Sequence, residues 1–480
     1  MSMSQPSLLT LSAALLLAGC GSLAPTYERP AAPVPTQLPL AAAEAASASA
    51  APAAPLAWQD FVRHPAPRRL VELALANNRD LRVAALNVER ARAQLDVSLA
   101  DRYPTIGVGV AANSAPNTQS GNQAQSYTAG LQMASWELDF LGRIGNLNDA
   151  ARSQLLATEA GRRSAELALV GAVLSSYLNL VADAQLLGVA ERTLASREAT
   201  FKLTRIKSDA GAASKLEEQS AVTLLAQARV ARQQALRQRS QDLATLALLL
   251  GGPVPDDAVP QPPVLDPAGD TSAPAPDDAG ADAAWAALLA EVPVGLSSEV
   301  LLRRPDVVQA EQQLQAANAN IGAARAAMFP RITLTASAGQ ASSQFSGLFQ
   351  GGNFAWTLGA QALMTLFDAG RNQANVNASK VGRDIAVAQY ERAVQAAFKD
   401  TADALNGLAT WRDQRQAQAD QLASAREIAR LTELRYGAGA ASELERLDAQ
   451  RSLYAAEQAL VQTRLAEQQN RVGLWKALGG

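Results

Sequence analysis

The residues best placed to act together lie late in the chain, in YGAGAASELERLDAQR (436–451). There Leu444, Asp448 and Arg451 stand at i, i+4 and i+7, so a helix would carry an apolar, an acidic and a basic side chain on one face. By itself such a face reads as a solvated i,i+3 ion pair between Asp448 and Arg451. Other chemistry is sparse. The 480 residues hold one His, His64, and one Cys, Cys20, which leaves no material for a catalytic triad, a zinc site or a disulfide framework. We therefore expect no enzyme, no metal and no cofactor. His64 lies in the Pro-rich stretch RHPAP and reads as a solvated loop residue. A net charge of -3 with only 5% aromatics argues against nucleic acid as a partner.

The letters AGAAS occur at 210–214 and again at 438–442, and they reveal a duplication. With an offset of 228, Gly142-Arg143 falls on Gly370-Arg371, Leu216 on Leu444 and Leu250-Gly251-Gly252 on Leu478-Gly479-Gly480. Upstream, an offset of 226 places Asp80 on Asp306, Ala93 on Ala319 and Tyr103-Pro104 on Phe329-Pro330. This period is far longer than that of solenoid repeats, so two similar halves are expected to pack side by side. The expected organisation is a segment 1–19, an extended segment 20–66, repeat 1 over 67–252, a linker over 253–295 with eight prolines crowded into Pro253–Pro276, and repeat 2 over 296–480.

Within each repeat the hydrophobic period names the elements. From about 146 to 208 and 372 to 436 no proline occurs and apolar residues recur every three or four positions, as in Leu167, Val170, Leu174, Tyr177 and Val181. Helices of this length run to roughly 95 Å, beyond what a globular domain needs. Shorter helices are expected at about 70–100 and 214–250. At AGAAS the long helix turns back: Gly211 and Gly439 can take the left-handed conformation and Ser214 and Ser442 can cap the next helix. Alternation of period two predicts strands at about 105–112, 127–138, 331–339 and 354–366, each with one apolar and one small or polar face. A sheet with one buried face would explain them, but no helix is left over to cover it. The other reading is an outer-membrane barrel, for which four strands from one chain are too few. No 18-residue run looks apolar enough for a helical span.

RRPD (303–306) could be an anion site by its two arginines. The stronger reading is a helix start, with Pro305 in the first turn and Asp306 at the positive helix end. The LGRIG and FDAGR stretches read as strand-to-helix junctions at Gly142 and Gly370.

At the N-terminus, LLTLSAALLLAGC is an apolar run too short to span a bilayer and suited to a signal peptide. Its LAGC (17–20) resembles the lipobox of bacterial lipoproteins, which implies cleavage before Cys20 and acylation of that Cys; Gly21 and Ser22 after it lean toward the outer membrane. The first ten residues hold no Lys or Arg, unlike an ordinary signal. Together with LVELALANNRDLRVAALNVERARAQ (70–94), VPVGLSSEVLLRRPDVVQAEQQLQAANANIGAARAAMFPRITL (292–334), FDAGR (367–371), RYGAGAASELERLDAQRSLY (435–454) and the terminal ALGG, it resembles the outer-membrane factor lipoproteins of tripartite efflux pumps, the TolC-like channels of the OprM and NodT kind.

That resemblance covers essentially the whole mature chain. It implies a homotrimer with a 12-stranded outer-membrane β-barrel, four strands per chain, continued by a long α-helical periplasmic barrel built from two tandem repeats. It further implies docking to a periplasmic adaptor (a membrane fusion protein) and an inner-membrane pump of the resistance-nodulation-division type, with passive conduction of drugs or other small molecules. The family's periplasmic gate carries over to Leu444 and Asp448, with Arg451 and Tyr436 in the contacts that hold the bend. Gly437 stands where many relatives have Arg. In repeat 1 the matching positions are Leu216 and Ser220, so one copy alone carries the acid. A type I protein-secretion duct shares this fold, and a lipid-anchored coiled-coil scaffold would explain the helices but not the strands.

Overall fold

The computed structural model describes residues 21–36, 38, 56–116, 123–262, 278–292 and 298–480. Residues 1–20, where the signal peptide and the acylated Cys20 are expected, and parts of the expected linker lie outside them. In chain order the elements are α1 (Pro65–Asn77), α2 (Arg79–Ala100), β1 (Gly107–Pro116), β2 (Gln123–Leu138), α3 (Arg143–Asp209), α4 (Lys215–Leu250), α5 (Asp278–Ala286), α6 (Pro305–Ala326), β3 (Arg331–Ser342), β4 (Phe354–Leu363), α7 (Arg371–Gly437) and α8 (Glu443–Ala477). They form two compact units, each drawing on both repeats. One holds Leu86–Gly161, Val308–Ala393 and the described N-terminal residues to Ala32; the other holds the described parts of Pro33–Ala85, Arg162–Val307 and Val394–Gly480.

In the first unit the four strands make one antiparallel sheet in the order β1-β2-β3-β4. The hairpins β1-β2 and β3-β4 each stay within a repeat, and β2 pairing with β3 joins the repeats, as at Gly130↔Gly339. One face carries a row from Val108 through Leu131 and Ala338 to Trp356, because these residues are direct cross-strand partners. The other face carries Gln132, Ser337 and Thr357, with Ser337 and Thr357 hydroxyls 2.7 Å apart. Val108 is 81% exposed and Trp356 69%. The sheet with one buried face, open as a reading of the sequence, is therefore not what the chain builds.

Strand ends depart from expectation for a backbone reason. β1 runs on to Pro116 and β3 to Ser342 because polar residues such as Ser114 still pair, here with Gln125, after the apolar alternation stops. β4 ends at Leu363 because its partner there, Arg331, is the first residue of β3. Smaller clusters pack this unit's helices: Ala91 and Leu95 of α2 against Leu155 of α3, and Ala150 of α3 against Ala316 and Ala319 of α6.

The second unit has the larger core. Leu70, Val71 and Ala74 of α1 pack with Val170, Leu174, Tyr177 and Leu178 of α3, Leu246 and Leu250 of α4, and Val461, Val472 and Trp475 of α8. Phe61 stacks on Trp475 at 5.2 Å between centroids, and the Trp475 indole N–H donates to the Leu56 carbonyl at 2.7 Å. The expectation that no stretch is apolar enough for a helical span fails in α3. It contains an 18-residue window of mean hydropathy 1.6, of which 56% is buried. The apolarity serves the core, since α3 supplies its largest share of residues.

The helix expected over 70–100 is broken. Asn78 is extended (φ -60°, ψ 132°); its carboxamide oxygen accepts from Leu81 N at 2.9 Å and its amide donates to the Leu249 carbonyl at 2.9 Å. Repeat 2 makes the same link differently. Arg304, 7% exposed, donates to the Ala477 carbonyl at 3.0 Å and pairs with Asp306 at 2.8 Å. In both repeats the side chain before the short helix holds a carbonyl in the last turn of the C-terminal helix, where carbonyls lack intrahelical partners. RRPD is thus a helix start, Pro305 being the first residue of α6, and Arg304 is engaged by that carbonyl and by Asp306. His64 is exposed and accepts from Ala66 N, capping α1.

Asp183 of α3 is 5% exposed. Burial, then hydrogen bonding to Asp242 and that group's charge, push its carboxyl up to about 7, against the pull of Arg239. A carboxyl raised this far above its ordinary value of about 3.9 contributes stability that is complete below that value and lost as pH rises through about 7. Asp183→Asn is expected to flatten the change in Tm between pH 5 and pH 8; an unchanged pH slope in thermal melts would refute this assignment.

Candidate functional site: the paired helix hairpins

Two hairpins in the second unit bring the sequence-predicted residues together. In each, a long helix ends at glycine: Gly211 (φ 74°) and Gly439 (φ 73°) are left-handed, a conformation that costs an L-residue about 1–2 kcal/mol. The bonds match position for position. Ala212 N donates to Lys207 O (2.7 Å) and Gly211 N to Ser208 O (3.0 Å), while Ala440 N donates to Arg435 O (2.8 Å) and Gly439 N to Tyr436 O (2.9 Å). Ser214 and Ser442 then start α4 and α8 with full capping boxes, closed by Glu217 and Glu445. Backbone bonding to Ser214 and Ser442 holds the carboxyls of Glu217 and Glu445 below the ordinary glutamate range.

The side chains inside the two turns differ in sign. In repeat 1, Lys215 pairs with Glu218 at 2.8 Å, and Ser208 donates to Glu218 at 2.9 Å. At the positions 228 residues on stand Glu443 and Arg446, paired at 2.6 Å with the charges reversed, and Tyr436 replaces Ser208. Arg446 is 6% exposed; it lies 4.7 Å from the Tyr436 ring centroid and 3.5 Å from Glu433. Lys207 approaches the same ring from repeat 1, with its ammonium 5.3 Å from the centroid and 3.5 Å from the phenol oxygen. Tyr436 is therefore held by a cation from each repeat, Arg446 at its ring, whose negative face attracts the guanidinium, and Lys207 at its phenol oxygen. Arg197 of α3 adds a further tie by donating to Gln450 of α8.

Leu444, Asp448 and Arg451 do share one face of α8. Leu444 is 69% exposed, and Arg451 pairs with Asp448 at i,i+3 while both side chains stay more than half exposed. In the protomer this is the solvated pair. Within the protomer Tyr436 contacts Arg446 and Lys207, and Arg451 pairs with Asp448. The signal for Arg446 was present as the i,i+3 Glu443–Arg446 spacing. Its burial could not be read from that spacing.

A second site-bearing segment is the N-terminus of the first unit. Ser22 donates to Asn146 in the first turn of α3 at 2.7 Å, and α6 then receives the chain: Arg325 donates to Leu23 O (3.0 Å), Asn318 to Pro25 O (2.8 Å), and Arg29 grips Glu311 bidentately (2.7 and 2.9 Å). Gly21 is thereby held beside the junction where β2 turns into α3, whose Gly142 has φ 70°.

Comparison with known proteins places this geometry. The family model described as outer membrane efflux protein matches residues 70–252 and 296–480. The chain belongs to the outer membrane efflux protein family. It is 41% identical over 483 residues to the toluene efflux pump outer membrane protein TtgC of Pseudomonas putida, covering 99% of this chain and 95% of that protein. It is 40% identical to the outer membrane protein OprJ of Pseudomonas aeruginosa, over 97% of this chain and 94% of that protein. Among solved structures, a membrane protein from Pseudomonas aeruginosa superposes with a TM-score of 0.83 at 38% identity, over 96% of this chain and all of that one. The open state of the MtrE outer membrane channel of Neisseria gonorrhoeae gives 0.82 at 33% identity, over 96% and 98%. The family is one of channels rather than enzymes, and the resemblance seen in the sequence motifs is its true relationship.

Because Arg446 is buried against Glu443, whose side chain is 13% exposed, truncating it leaves Glu443 uncompensated, a loss of about 3–5 kcal/mol for a buried pair against roughly 0–1 for an exposed one. Arg446→Met is expected to speed amide hydrogen exchange across 436–446 by far more than Arg451→Met. Equal effects of the two substitutions would show that the buried arginine does not hold the turn.

Proposed function

We propose that three copies of this chain form an outer-membrane exit channel for efflux, closed at its periplasmic end by Leu444 and Asp448. The observation carrying the gate is placement: these two residues stand exposed on one face of α8, just beyond a hairpin whose other charged groups are spent on internal contacts. Around a threefold axis, three Asp448 carboxylates would attract cations, and three Leu444 side chains would exclude water. Tyr436, clasped by Lys207 and Arg446, would hold the hairpin of one repeat to that of the other in this state. Four strands per chain make 12 in the trimer, enough for a closed barrel.

The channel receives its substrate from an inner-membrane pump of the resistance-nodulation-division type through a periplasmic adaptor. Relatives named for toluene, solvent and antibiotic efflux favour small-molecule export over protein secretion. The lipid anchor at Cys20, outside the described residues, is supported by the neighbouring chain: Ser22 is fixed to the strand-to-helix junction, which is where an acyl chain on the preceding residues would meet the bilayer edge.

Single-channel recording in planar bilayers tests the gate. Leu444→Ala and Asp448→Ala are each expected to raise conductance, and Asp448→Ala to lower cation preference as well. If neither changes conductance or selectivity, the gate is elsewhere. For the anchor, labelled palmitate should enter the wild-type protein and not Cys20→Ser; equal labelling of both would remove Cys20 as the site.

A further inference from the structure

The two hairpins of the sheet are copies of each other, and their alignment fixes how the sheet can continue past its edges. Thr128-Ala129-Gly130-Leu131-Gln132 of β2 matches Thr357-Leu358-Gly359-Ala360-Gln361 of β4. The pairing agrees with this match. With β1 laid on β3 at the offset of 226, Gly107 falls on Thr333, and their partners across the hairpins are Gln132 and Gln361. From Gln132 to Gly142 there are ten steps along the chain, and from Gln361 to Gly370 there are nine. β2 places its extra residue in the bulge between Met133 and Trp136, and β4 has none to place.

The feet of the two outer strands lack a partner within the protomer. β4 stops at Leu363 because Met364 faces Pro330, which has no amide hydrogen. β1 starts at Gly107 because Ile106 faces Met133, where the bulge begins. Both feet are apolar and open, with Ile106 67% exposed and Leu366 89%.

We propose that β4 of one copy pairs with β1 of the next in the register that β2 and β3 already use, without the bulge. This inference rests on the three-copy channel reading and adds to it the strands, the register and a change at the strand feet. Inside the protomer the seam is Leu131↔Ala338, Trp136↔Leu334 and Leu138↔Ile332, with the bulge between the first pair and the second. Carried to the matching positions, these become Ala360 with Ala112, Met364 with Val108 and Leu366 with Ile106 of the next copy. All three lie in one uninterrupted register, because the residue that β4 lacks is the one that bulges in β2. The faces agree as well: each pair joins two residues of the apolar row, whereas a slip of one residue would set apolar against polar. On assembly β4 lengthens to Leu366 and β1 reaches back to Ile106, so the exposed feet become strand. A second copy is the partner because its β1 edge has the backbone course of the β3 edge that β2 already accepts.

Cysteine cross-linking in the full-length trimer in detergent tests the register, with Cys20 left in place and each introduced cysteine alone as a control. Ala360→Cys with Ala112→Cys, and Gln361→Cys with Ala111→Cys, cover the two kinds of antiparallel pair, which differ in Cα separation. Mild oxidation is expected to join at least one of these variants into a covalent trimer. Its yield should be at least fivefold that of Ala360→Cys with Val110→Cys or with Ser114→Cys, which report slips of two residues either way. Stronger linking in a slipped pair overturns the register. If no pair links while native mass spectrometry shows a trimer, β4 does not meet β1 and the proposal fails while the channel reading stands. A mass below that of a trimer overturns both. Hydrogen exchange reads the strand feet without substitution: in the wild-type trimer, alternate amides over 364–366 should exchange as slowly as those within β4. Uniformly fast exchange there, as at Gly351 and Gly352 in the β3–β4 loop, would overturn the lengthening of the strands.

Discussion

Everything in this chain answers to the unpaired backbone of a four-stranded sheet. The free edges of β1 and β4 present rows of amide and carbonyl groups, and the row from Val108 to Trp356 turns apolar surface outward. In water the apolar row is a liability, and in hydrocarbon the open edges are worse, since an unsatisfied peptide group there costs several kcal/mol. Neither cost is met within one protomer. Association with further copies satisfies both at once, because strand pairing consumes the edges while the apolar row faces lipid. The duplication follows the same logic: each repeat supplies one hairpin, and β2–β3 pairing is the seam that turns two hairpins into one sheet.

The duplicated hairpins show how one backbone solution is given two electrostatic fillings. Glycine at the left-handed position, serine at the cap and glutamate three residues on are retained in both copies, because they satisfy helix-end groups that any such turn exposes. The charges beyond them differ, with Lys215–Glu218 in one copy and Glu443–Arg446 in the other. The reversal matters because it lets Tyr436 meet both Arg446 and Lys207, so the repeats are tied to each other through one aromatic ring. The Asn78 and Arg304 links to the final turns of α4 and α8 show the same pattern: the bonded carbonyl is retained and the donor is not.

Much of this was legible because it depends on local rules. Hydrophobic period separates the long helices from the strands, and the recurrence of AGAAS exposes the duplication and both turns. Strand ends were less legible, since pairing continues through polar residues such as Ser114 whose sequence carries no alternation. The α3 window passed as an ordinary amphipathic helix, although its apolarity reflects burial on several sides against α1, α4 and α8. The break at Asn78 was missed because an asparagine within a helical pattern looks tolerable until its side chain finds both a cap and a distant carbonyl.

By itself the sequence determined the family, the four amphipathic strands, the two glycine turns and the shared face of Leu444, Asp448 and Arg451, all properties of residue type at fixed spacing. The tertiary structure decided which charges are buried. Arg446 and Arg451 both follow an acid by three residues, yet one is enclosed between Tyr436 and two glutamates while the other stands in solvent. Spacing along a helix sets which side chains can meet. What packs over them sets the local dielectric, and with it whether an ion pair holds a turn or stays a solvated pair on the helix surface.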